Sequence, residues 1–422
     1  MGSRREVAIT GIGVVSPIGI GTAAFWNSLV EGKSGVRLLP WSQDGVLPGW
    51  IGAEVHDFVP AKMIRQRKAL KVMSRDIQLG VAAADAACAE ANLAGAGIDP
   101  DRLGVIFGAD LIAVDLSELT DAYRACSDGG DFDFASWGVK GLAAMYPLWM
   151  LKYLPNMPAC HVGILQDARG PNNTHTLGEV SGLTALAEAV EVIRRGQADA
   201  IIAGGASSRI HPSVFLRNRS RQVSQQYDDP GAACRPFDAR RDGMVFGEGA
   251  AAVVLEAREH AQARGAKCLA RILGSAAAFE PLQSGRATEG HAIRHAMRLA
   301  LARSGLKPSE IGHVNAHGLG TVLDDRIEAQ AVRETLGDVP VTAPKSYFGN
   351  LGAAGGVVEM VVSILGFQHG VVPPTLNYER PDPECPIRVV HSGPMPLGQP
   401  TAMLLNHCGT GQAAAMVVAG PD

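Results

Sequence analysis

Short runs of β-branched and other apolar residues alternate along the chain with longer, alanine-rich runs of helical periodicity. The short runs predict strands and the long runs predict helices. The predicted strands are Val7–Ile12, Leu103–Phe107, Ala198–Ala203, Ala251–Leu255, Val314–Ala316 and Ala402–Leu405. The predicted helices are Ala23–Val30, Asp76–Leu93, Ser181–Arg194, Ala292–Ser304 and Ile327–Leu336. This alternation is typical of an α/β protein in which helices cover buried sheets.

Glycine-rich segments follow several of the predicted strands, among them GIG near the start, AGGAS at 203–207, HGLGT at 317–321 and CGTG at 408–411. Loops at strand ends are where α/β proteins usually keep their binding and catalytic residues. ITGIGVV at 9–15 and VNAHGLGT at 314–321 each look like a strand that enters a glycine turn, one in each half of the chain. This echo predicts a duplicated architecture with a seam near 256–266.

Composition narrows the class of protein. The 422 residues are 46% hydrophobic, which is enough for a large core or for two domains that share one. The formal charge of −4 gives no overall attraction to nucleic acid or to an anionic membrane. No apolar run reaches the roughly twenty residues of a membrane-spanning helix, and the glycine-broken N-terminus does not fit a signal peptide.

The cysteines point to a reducing compartment. There are seven of them, an odd number without paired spacing, which predicts free thiols in a cytoplasmic protein. The sequence contains no CxxC motif and no Cys/His cluster, so it predicts no metal site. The glycines of GIGVVSPIG fail the GxGxxG spacing of a dinucleotide fingerprint, so a simple tight turn is the better interpretation there.

Three residues are candidates for chemistry, and each also has a plainer interpretation. Glu179, in NTHTLGEVSG, lies at a predicted strand-to-helix elbow, where many enzymes expose a nucleophile. His317, in NAHGLGT, either packs in the core or faces a cavity. Lys345, in TAPKSYFGN, is either an ordinary surface lysine or a buried, paired one.

Taken in order, five segments resemble the β-ketoacyl-acyl-carrier-protein synthases, the elongating enzymes of fatty acid and type II polyketide synthesis. The segments are VAITGIGVVSPIG, AGGAS, CRPFDARRDGMVFGEGAAAVVLE, VNAHGLGTVLDDRIE and KSYFGNLGAAGG. The resemblance implies a thiolase fold, a duplicated five-layered αβαβα architecture that is normally dimeric. It implies an N-terminal half at 1–256, a C-terminal half at 257–422 and a dimer and acyl-tunnel insertion at 110–170.

The resemblance also assigns the candidate residues. TLGEVSGL places Glu179 on the family's nucleophilic cysteine, and none of the seven cysteines replaces it. His317 and Lys345 match the first catalytic histidine and the lysine, whereas Asn350 stands where the second histidine is expected. A thiolate can attack a thioester and leave again, but a carboxylate in that role would give a reactive anhydride.

Further roles follow from the family geometry. The oxyanion hole is expected from the backbone N–H groups of Glu179 and Cys408. We expect the carboxylate of Glu179 to fold into this hole at the N-terminus of the helix, with help from protonated His317, and so to imitate an acylated cysteine. Asp325 and Glu328 are expected to be buried and paired, to brace the histidine loop and to help position the lysine.

Three functions fit this pattern. The leading interpretation is a chain-length-factor-like subunit that cannot condense alone and pairs with a cysteine-bearing ketosynthase as a heterodimer, or else forms a homodimer. The second is a malonyl-carrier-protein decarboxylase in which His317 and Asn350 polarise the thioester carbonyl. The third is an atypical 3-oxoacyl-carrier-protein synthase. In each case no cofactor of its own is expected, since the substrate is carried on the phosphopantetheine of an acyl carrier protein.

Two basic segments predict where that carrier protein docks. KMIRQRKALKVMSR at 62–75 holds six basic residues, and RNRSRQ at 217–222 holds three arginines. Taken singly, each segment fits a solvated basic face. Because family members place their carrier contacts in these regions, we expect Lys68, Lys71, Arg217 and Arg221 to dock an acidic carrier protein.

Overall fold

The computed structural model describes residues 5–42, 50–128, 130–218, 222–282 and 289–421. Its strands are β1 Val7–Ser16, β2 Gly19–Ile20, β3 Arg37–Leu38, β4 Ile51–Gly52, β5 Leu103–Ala109, β6 Ser127–Asp128, β7 Asp131–Phe132, β8 Asn172–His175, β9 Ala200–Ser208, β10 Glu248–Ala257, β11 Ala270–Phe279, β12 His313–Asn315, β13 Pro340–Thr342, β14 Val371–Val372, β15 Arg388–Val389, β16 Met395–Pro396, β17 Thr401–His407 and β18 Gln412–Ala419. Its α-helices are α1 Thr22–Glu31, α2 Pro60–Met63, α3 Arg75–Glu90, α4 Leu116–Ala125, α5 Leu142–Ala144, α6 Met157–Gln166, α7 Ser181–Arg194, α8 Pro212–Arg217, α9 Arg258–Ala263, α10 His291–Ser304, α11 Val322–Leu336, α12 Lys345–Phe348 and α13 Gly355–His369.

The same strand order occurs in each half of the main sheet. Its path is β15-β13-β12-β17-β18-β11-β1-β10-β9-β5-β8, and β2 pairs with β1 at the side. In β1-β10-β9-β5-β8 the first two pairings are antiparallel and the next two are parallel, and β11-β18-β17-β12-β13 follows the same pattern. Among the residues that the structure describes, the two halves of the sheet are joined where Ala8 and Ile9 pair with Arg271 and Ala270. The chain is therefore internally duplicated, as the sequence predicts.

Helices lie on both faces of each half-sheet. Between the half-sheets, α7 and α13 share one apolar core with β1, β10, β17 and β18, to which Leu186 and Val361 contribute. On the outer face of the first half, α3 and α6 pack in a second core that contains Ile77. On the outer face of the second half, α10 and α11 pack in a third core through Met297 and Val332. The order of layers is αβαβα.

The predicted helices and strands are all present, with ends that differ by a few residues. The sequence prediction missed α13, whose glycines and β-branched residues disfavour a helix, and the alanine-rich strands β11 and β18, since alanine favours helix. The duplication is present, but the two segments proposed as its equivalent parts were wrongly matched. β11 is the counterpart of β1 in the sheet order, and β12 is the counterpart of β5, so ITGIGVV and VNAHGLGT are not equivalent segments.

The segment 110–170 carries short elements and an exposed apolar surface. Phe134 is 78% exposed and Val139 is 77% exposed. Other large apolar side chains exposed in this part of the chain are Leu111, Leu116, Tyr123, Phe132, Leu142, Tyr146, Leu148, Met150, Leu154 and Ile164. A contiguous segment with this many exposed apolar side chains is typical of an interaction surface. Within the ranges that the structure describes, no helix is long and apolar enough to cross a membrane.

Candidate functional site

The two central helices, α7 and α13, begin side by side. A short turn that contains Glu179 precedes α7, and a similar turn that follows Asn350 precedes α13. The approach of the two segments leaves no room for a side chain between them, because a Cβ on Gly182 would lie 2.7 Å from the carbonyl oxygen of Ala353. Glu179 and Asn350 are thereby brought together from opposite halves of the chain.

The carboxylate of Glu179 is buried and bound. Its Oε1 accepts a hydrogen bond from Nη1 of Arg209 at 2.7 Å and from Nδ2 of Asn350 at 3.3 Å. The same guanidinium reaches Oδ2 of Asp110, with Nε at 3.0 Å and Nη2 at 2.9 Å. Burial acts against the charge of Arg209, but the two carboxylates outweigh it and hold its pKa above the ordinary value. One cation therefore bridges two carboxylates, of which Glu179 is buried and Asp110 is partly buried.

The strands bring this bridge into position. Asp110 follows β5 and Arg209 follows β9, and these two parallel strands are neighbours that end at the same edge of the sheet. Oδ2 of Asp110 also accepts from the hydroxyl of Ser207 at 2.9 Å and from the backbone N–H of Ala353 at 3.3 Å. The bridge is thus fixed to a side chain of the first half of the chain and to the backbone of the second half.

A cavity of about 440 Å³ lies in front of Glu179. Asp110, Arg209, Arg217 and Cys408 contribute to its walls, whereas His317, Lys345 and Asn350 are not among the described residues that line it. The backbone N–H of Cys408 donates to the carbonyl of Gln412 at 3.0 Å, inside the turn between β17 and β18. This corrects the expected oxyanion hole, since that donor is already engaged. Burial raises the pKa of the Cys408 thiol.

His317 is held by Lys345 in a buried polar cluster. Its Nδ1 lies 3.0 Å from Nζ of Lys345 and 3.3 Å from Nδ2 of Asn406. An ammonium group can only donate, so Nδ1 accepts and the ring proton of the neutral imidazole is on Nε2. Burial and the charge of Lys345 lower the pKa of His317 well below its ordinary value. The expectation that a protonated His317 holds Glu179 is therefore wrong, because both burial and the adjacent ammonium oppose its charge.

Glu328 braces the loop of His317, as expected. It is fully buried, and it accepts from the backbone N–H of His317 at 2.6 Å and from that of Gly318 at 2.8 Å. His407 approaches the same carboxylate with Nε2 at 3.7 Å from Oε2. Burial lowers the pKa of His407, but the Glu328 carboxylate outweighs burial and the net shift is upward.

Asp325 is buried and paired, as expected, with Nε of Arg241 at 3.7 Å from its Oδ2. It accepts from the N–H groups of Phe237 at 2.7 Å and Gly320 at 2.9 Å. Burial raises the pKa of Asp325 to about 7. Lys345 forms its ion pair with the buried carboxylate of Glu359, in the middle of α13. A helix that crosses the core, and not the acidic pair after His317, supplies the partner of the lysine.

The predicted docking residues lie in two separate segments of the chain. Lys68 and Lys71 are exposed in a 3-10 turn before α3. Arg217 is exposed at the end of α8 and lines the cavity in front of Glu179. Arg221 lies outside the residues that the structure describes.

Sequence reasoning missed four members of the site. Asp110 and Arg209 come directly after two strands, and the sequence signal for Asp110 is the segment GAD at 108–110, which follows the predicted strand Leu103–Phe107. Glu359 lies inside α13 and Asn406 inside β17, at positions where no local pattern marks a polar side chain as functional.

The chain matches two family models. Residues 4–261 match the model described as "Beta-ketoacyl synthase, N-terminal domain", and residues 269–379 match the model of the corresponding C-terminal domain. "Putative polyketide beta-ketoacyl synthase 1" of Streptomyces cyaneus is 38% identical over 92% of this chain and 91% of its own length. The ketoacyl synthase alpha subunit of the tetracenomycin polyketide synthase from Streptomyces glaucescens is 34% identical over the same shares. The chain belongs to the β-ketoacyl synthase family, that of the ketosynthases of type II polyketide and fatty acid synthesis.

Solved structures agree with this assignment. A β-ketoacyl synthase from Burkholderia phymatum STM815 has a TM-score of 0.88 at 29% identity and covers 99% of this chain and 100% of its own. The AntDE:AntF complex, a type II ketosynthase with its acyl-carrier protein, has a TM-score of 0.85 at 27% identity, with all of both chains covered. The ishigamide ketosynthase/chain length factor has a TM-score of 0.85 at 26% identity and the same coverage. The predicted thiolase fold is confirmed.

Proposed function

We propose that the protein is a chain-length-factor-like subunit that does not condense and that pairs with a cysteine-bearing β-ketoacyl synthase. The observation that carries this proposal is the carboxylate of Glu179, bound by Arg209 and Asn350 at the elbow before α7. Condensation needs a group at the elbow that takes an acyl chain and then releases it. A carboxylate paired with a guanidinium that is only 11% exposed is a poor nucleophile and cannot take up and release an acyl chain.

The exposed apolar surface of 110–170 supports the pairing. A subunit that acts only through a partner needs a large contact with it, and Phe134 and Val139 are exposed in a segment where many apolar side chains reach solvent. One of the solved structures of similar fold is itself described as a ketosynthase/chain length factor. The proposed partner is a synthase that carries the cysteine that this chain lacks.

Coexpression with a cysteine-bearing synthase tests the pairing. The two chains should purify together as a heterodimer, and the double variant Phe134→Asp/Val139→Asp should separate them, as measured by light scattering after gel filtration. Phe279→Asp is the matched control, since Phe279 is 63% exposed but lies outside 110–170. Equal loss of association in both variants would count against a role for the 110–170 surface. A stable homodimer that does not bind the synthase would count against the proposal.

Activity assays on the pure protein separate the enzymatic alternatives. Incubation with acetyl-carrier protein should give no adduct by intact-mass spectrometry, and malonyl-carrier protein should lose carbon dioxide no faster than a blank. Rapid decarboxylation that is lost in His317→Ala would establish the decarboxylase instead. A covalent adduct on Glu179 would establish the atypical synthase.

A further inference from the structure

The elbow before α7 is occupied by more side chains than Glu179 alone. Glu179 is paired with Arg209, and Arg209 is paired with Asp110, so three side chains from three segments form one ion-pair unit that is largely removed from solvent. The side chains of Arg209 and Glu179 are 11% and 6% exposed. Packing around the unit is tight, because a Cβ on Gly352 would lie 2.1 Å from Oδ2 of Asp110 and 2.5 Å from Nε of Arg209.

The side chain of Glu179 shows where an acyl group on a cysteine would lie relative to Arg209 and Asp110. Its carboxyl carbon is two bonds beyond Cβ, the same position along the side chain as the carbonyl carbon of an acyl group carried on a cysteine sulfur. One carboxylate oxygen then corresponds to the acyl carbonyl oxygen, and the other corresponds to the first carbon of the acyl chain. In the structure Arg209 lies 2.7 Å from Oε1. Asp110 holds the guanidinium there from its far side.

We propose that Asp110 and Arg209 block the acyl position in front of residue 179, so that the elbow is closed to acyl thioesters by three residues acting together. This inference rests on the proposed function, which needs an elbow that is never acylated. It adds that a thiol at position 179 is not sufficient to reopen the site. Once Glu179 is removed, Arg209 still pairs with Asp110 and still occupies the wall of the cavity against which an acyl chain would extend.

The test measures acylation of an introduced thiol by a small thioester, hexanoyl-N-acetylcysteamine, which needs no carrier docking. The thiolate attacks the thioester carbonyl, a new thioester forms at position 179, and N-acetylcysteamine leaves as the thiol. The single variant E179C should be acylated no faster than the wild type. The triple variant D110N/E179C/R209A should be acylated at least tenfold faster than E179C. Peptide mapping assigns the adduct, since the chain has seven other cysteines.

Matched variants control for the thiol and for folding. D110N/R209A keeps Glu179 and should give no adduct. In the triple variant, which lacks Glu179, Asn at 110 keeps an oxygen that accepts from Ser207, so that no carboxylate of the unit remains without its cation after Arg209 is removed. In D110N/R209A, Glu179 keeps the hydrogen bond from Asn350 but loses the guanidinium, so the folding of this control is checked by thermal unfolding as well. If thermal unfolding shows that the triple variant does not fold, E179C/R209K takes its place and should exceed E179C, because lysine keeps the charge but not the guanidinium fork.

Two results would overturn the inference. One is E179C alone reacting as fast as the triple variant. The other is a folded triple variant whose introduced thiol reacts with iodoacetamide but not with the hexanoyl thioester. Failure of the proposed function is seen separately, in the unmodified protein, as an adduct on Glu179 or as failure to associate with a cysteine-bearing synthase.

Discussion

Glu328 shows how much of this site depends on single carboxylates. Its two oxygens accept hydrogen bonds from the consecutive N–H groups of His317 and Gly318, which fixes the loop between β12 and α11. All three residues are buried, so water cannot replace a lost acceptor without a rearrangement of the loop. The position of His317 is therefore set by a residue eleven positions further along the chain.

Replacing Glu328 by alanine should lower the free energy of unfolding by about 3–5 kcal/mol, because two buried N–H groups lose their acceptor and His407 loses its counter-charge. Denaturant unfolding followed by circular dichroism measures the change. The matched control is Glu384→Ala, which removes a surface pair with Arg326 at 3.1 Å. Its unfolding midpoint should stay near that of the wild type. Similar losses in both variants would contradict the role given to Glu328.

His313 gives a prediction about pH. Burial lowers its pKa to about 4, against about 6.5 in an unfolded chain. Below pH 6.5 the unfolded state takes up a proton that the folded state does not, so stability falls as the pH falls. The free energy of unfolding of the wild type should therefore fall by about 3 kcal/mol more between pH 7 and pH 4 than that of His313→Gln, which lacks this titrating group. His295→Gln, at an exposed position in α10, is the control and should leave the pH dependence of unfolding unchanged.

At the scale of elements, the close contact between the start of α7 and the turn before α13 is decided by one glycine. A Cβ on Gly182 would lie 2.7 Å from the carbonyl oxygen of Ala353 and 2.8 Å from Cγ2 of Val357. The obstacle is partly backbone, which cannot rotate away. The contact between the two halves of the site therefore depends on the absence of a side chain at 182.

Gly182→Ala should destabilise the protein by about 1–3 kcal/mol, since the added methyl group forces the helix starts apart. A lower midpoint of denaturant unfolding would show this. Gly138→Ala is the control, because a Cβ there meets nothing within 4 Å. An unchanged midpoint for Gly182→Ala would mean that the two turns separate without strain.

Elements with strong local signals could be predicted from the sequence. The helix prediction Ser181–Arg194 matches α7, and the position of Glu179 before it followed from the motif. The partners of Glu179 could not be predicted in this way. Arg209 reaches Glu179 because β9 and β8, the strand that leads to Glu179, lie on either side of β5 in the sheet, an order that no local pattern specifies. Glu359 reaches Lys345 only because α13 crosses the core. Contacts between residues far apart in sequence required the fold.

At the scale of the whole molecule, charge is distributed unevenly. The chain carries a formal charge of −4, yet Lys68, Lys71 and Arg217 are exposed in or near two basic segments, and Arg217 lines the cavity in front of Glu179. An acidic carrier protein that bound there would place its phosphopantetheine arm near the cavity. Local charge can direct such docking even when the total charge opposes it.

Reversing the charges of Lys68, Lys71, Arg217 and Arg221 to glutamate should weaken the binding of an acidic acyl carrier protein and flatten its dependence on salt. Titration calorimetry at two ionic strengths measures both effects. Arg195→Glu/Lys267→Glu, which changes two exposed residues outside both basic segments, is the control for total charge. Unchanged affinity in the quadruple variant would rule out this docking surface.

The shared core between the half-sheets has a consequence for synthesis on the ribosome. Once residues 1–257 have emerged, β1, β10, β9, β5 and β8 are all available, so the first half-sheet can assemble early. One of the two helices that cover its inner face, α13, lies about a hundred residues further on, at Gly355–His369. Until those residues emerge, the nascent chain exposes the apolar face that α13 later covers. An apolar face exposed in this way makes a folding chain prone to aggregation during that interval.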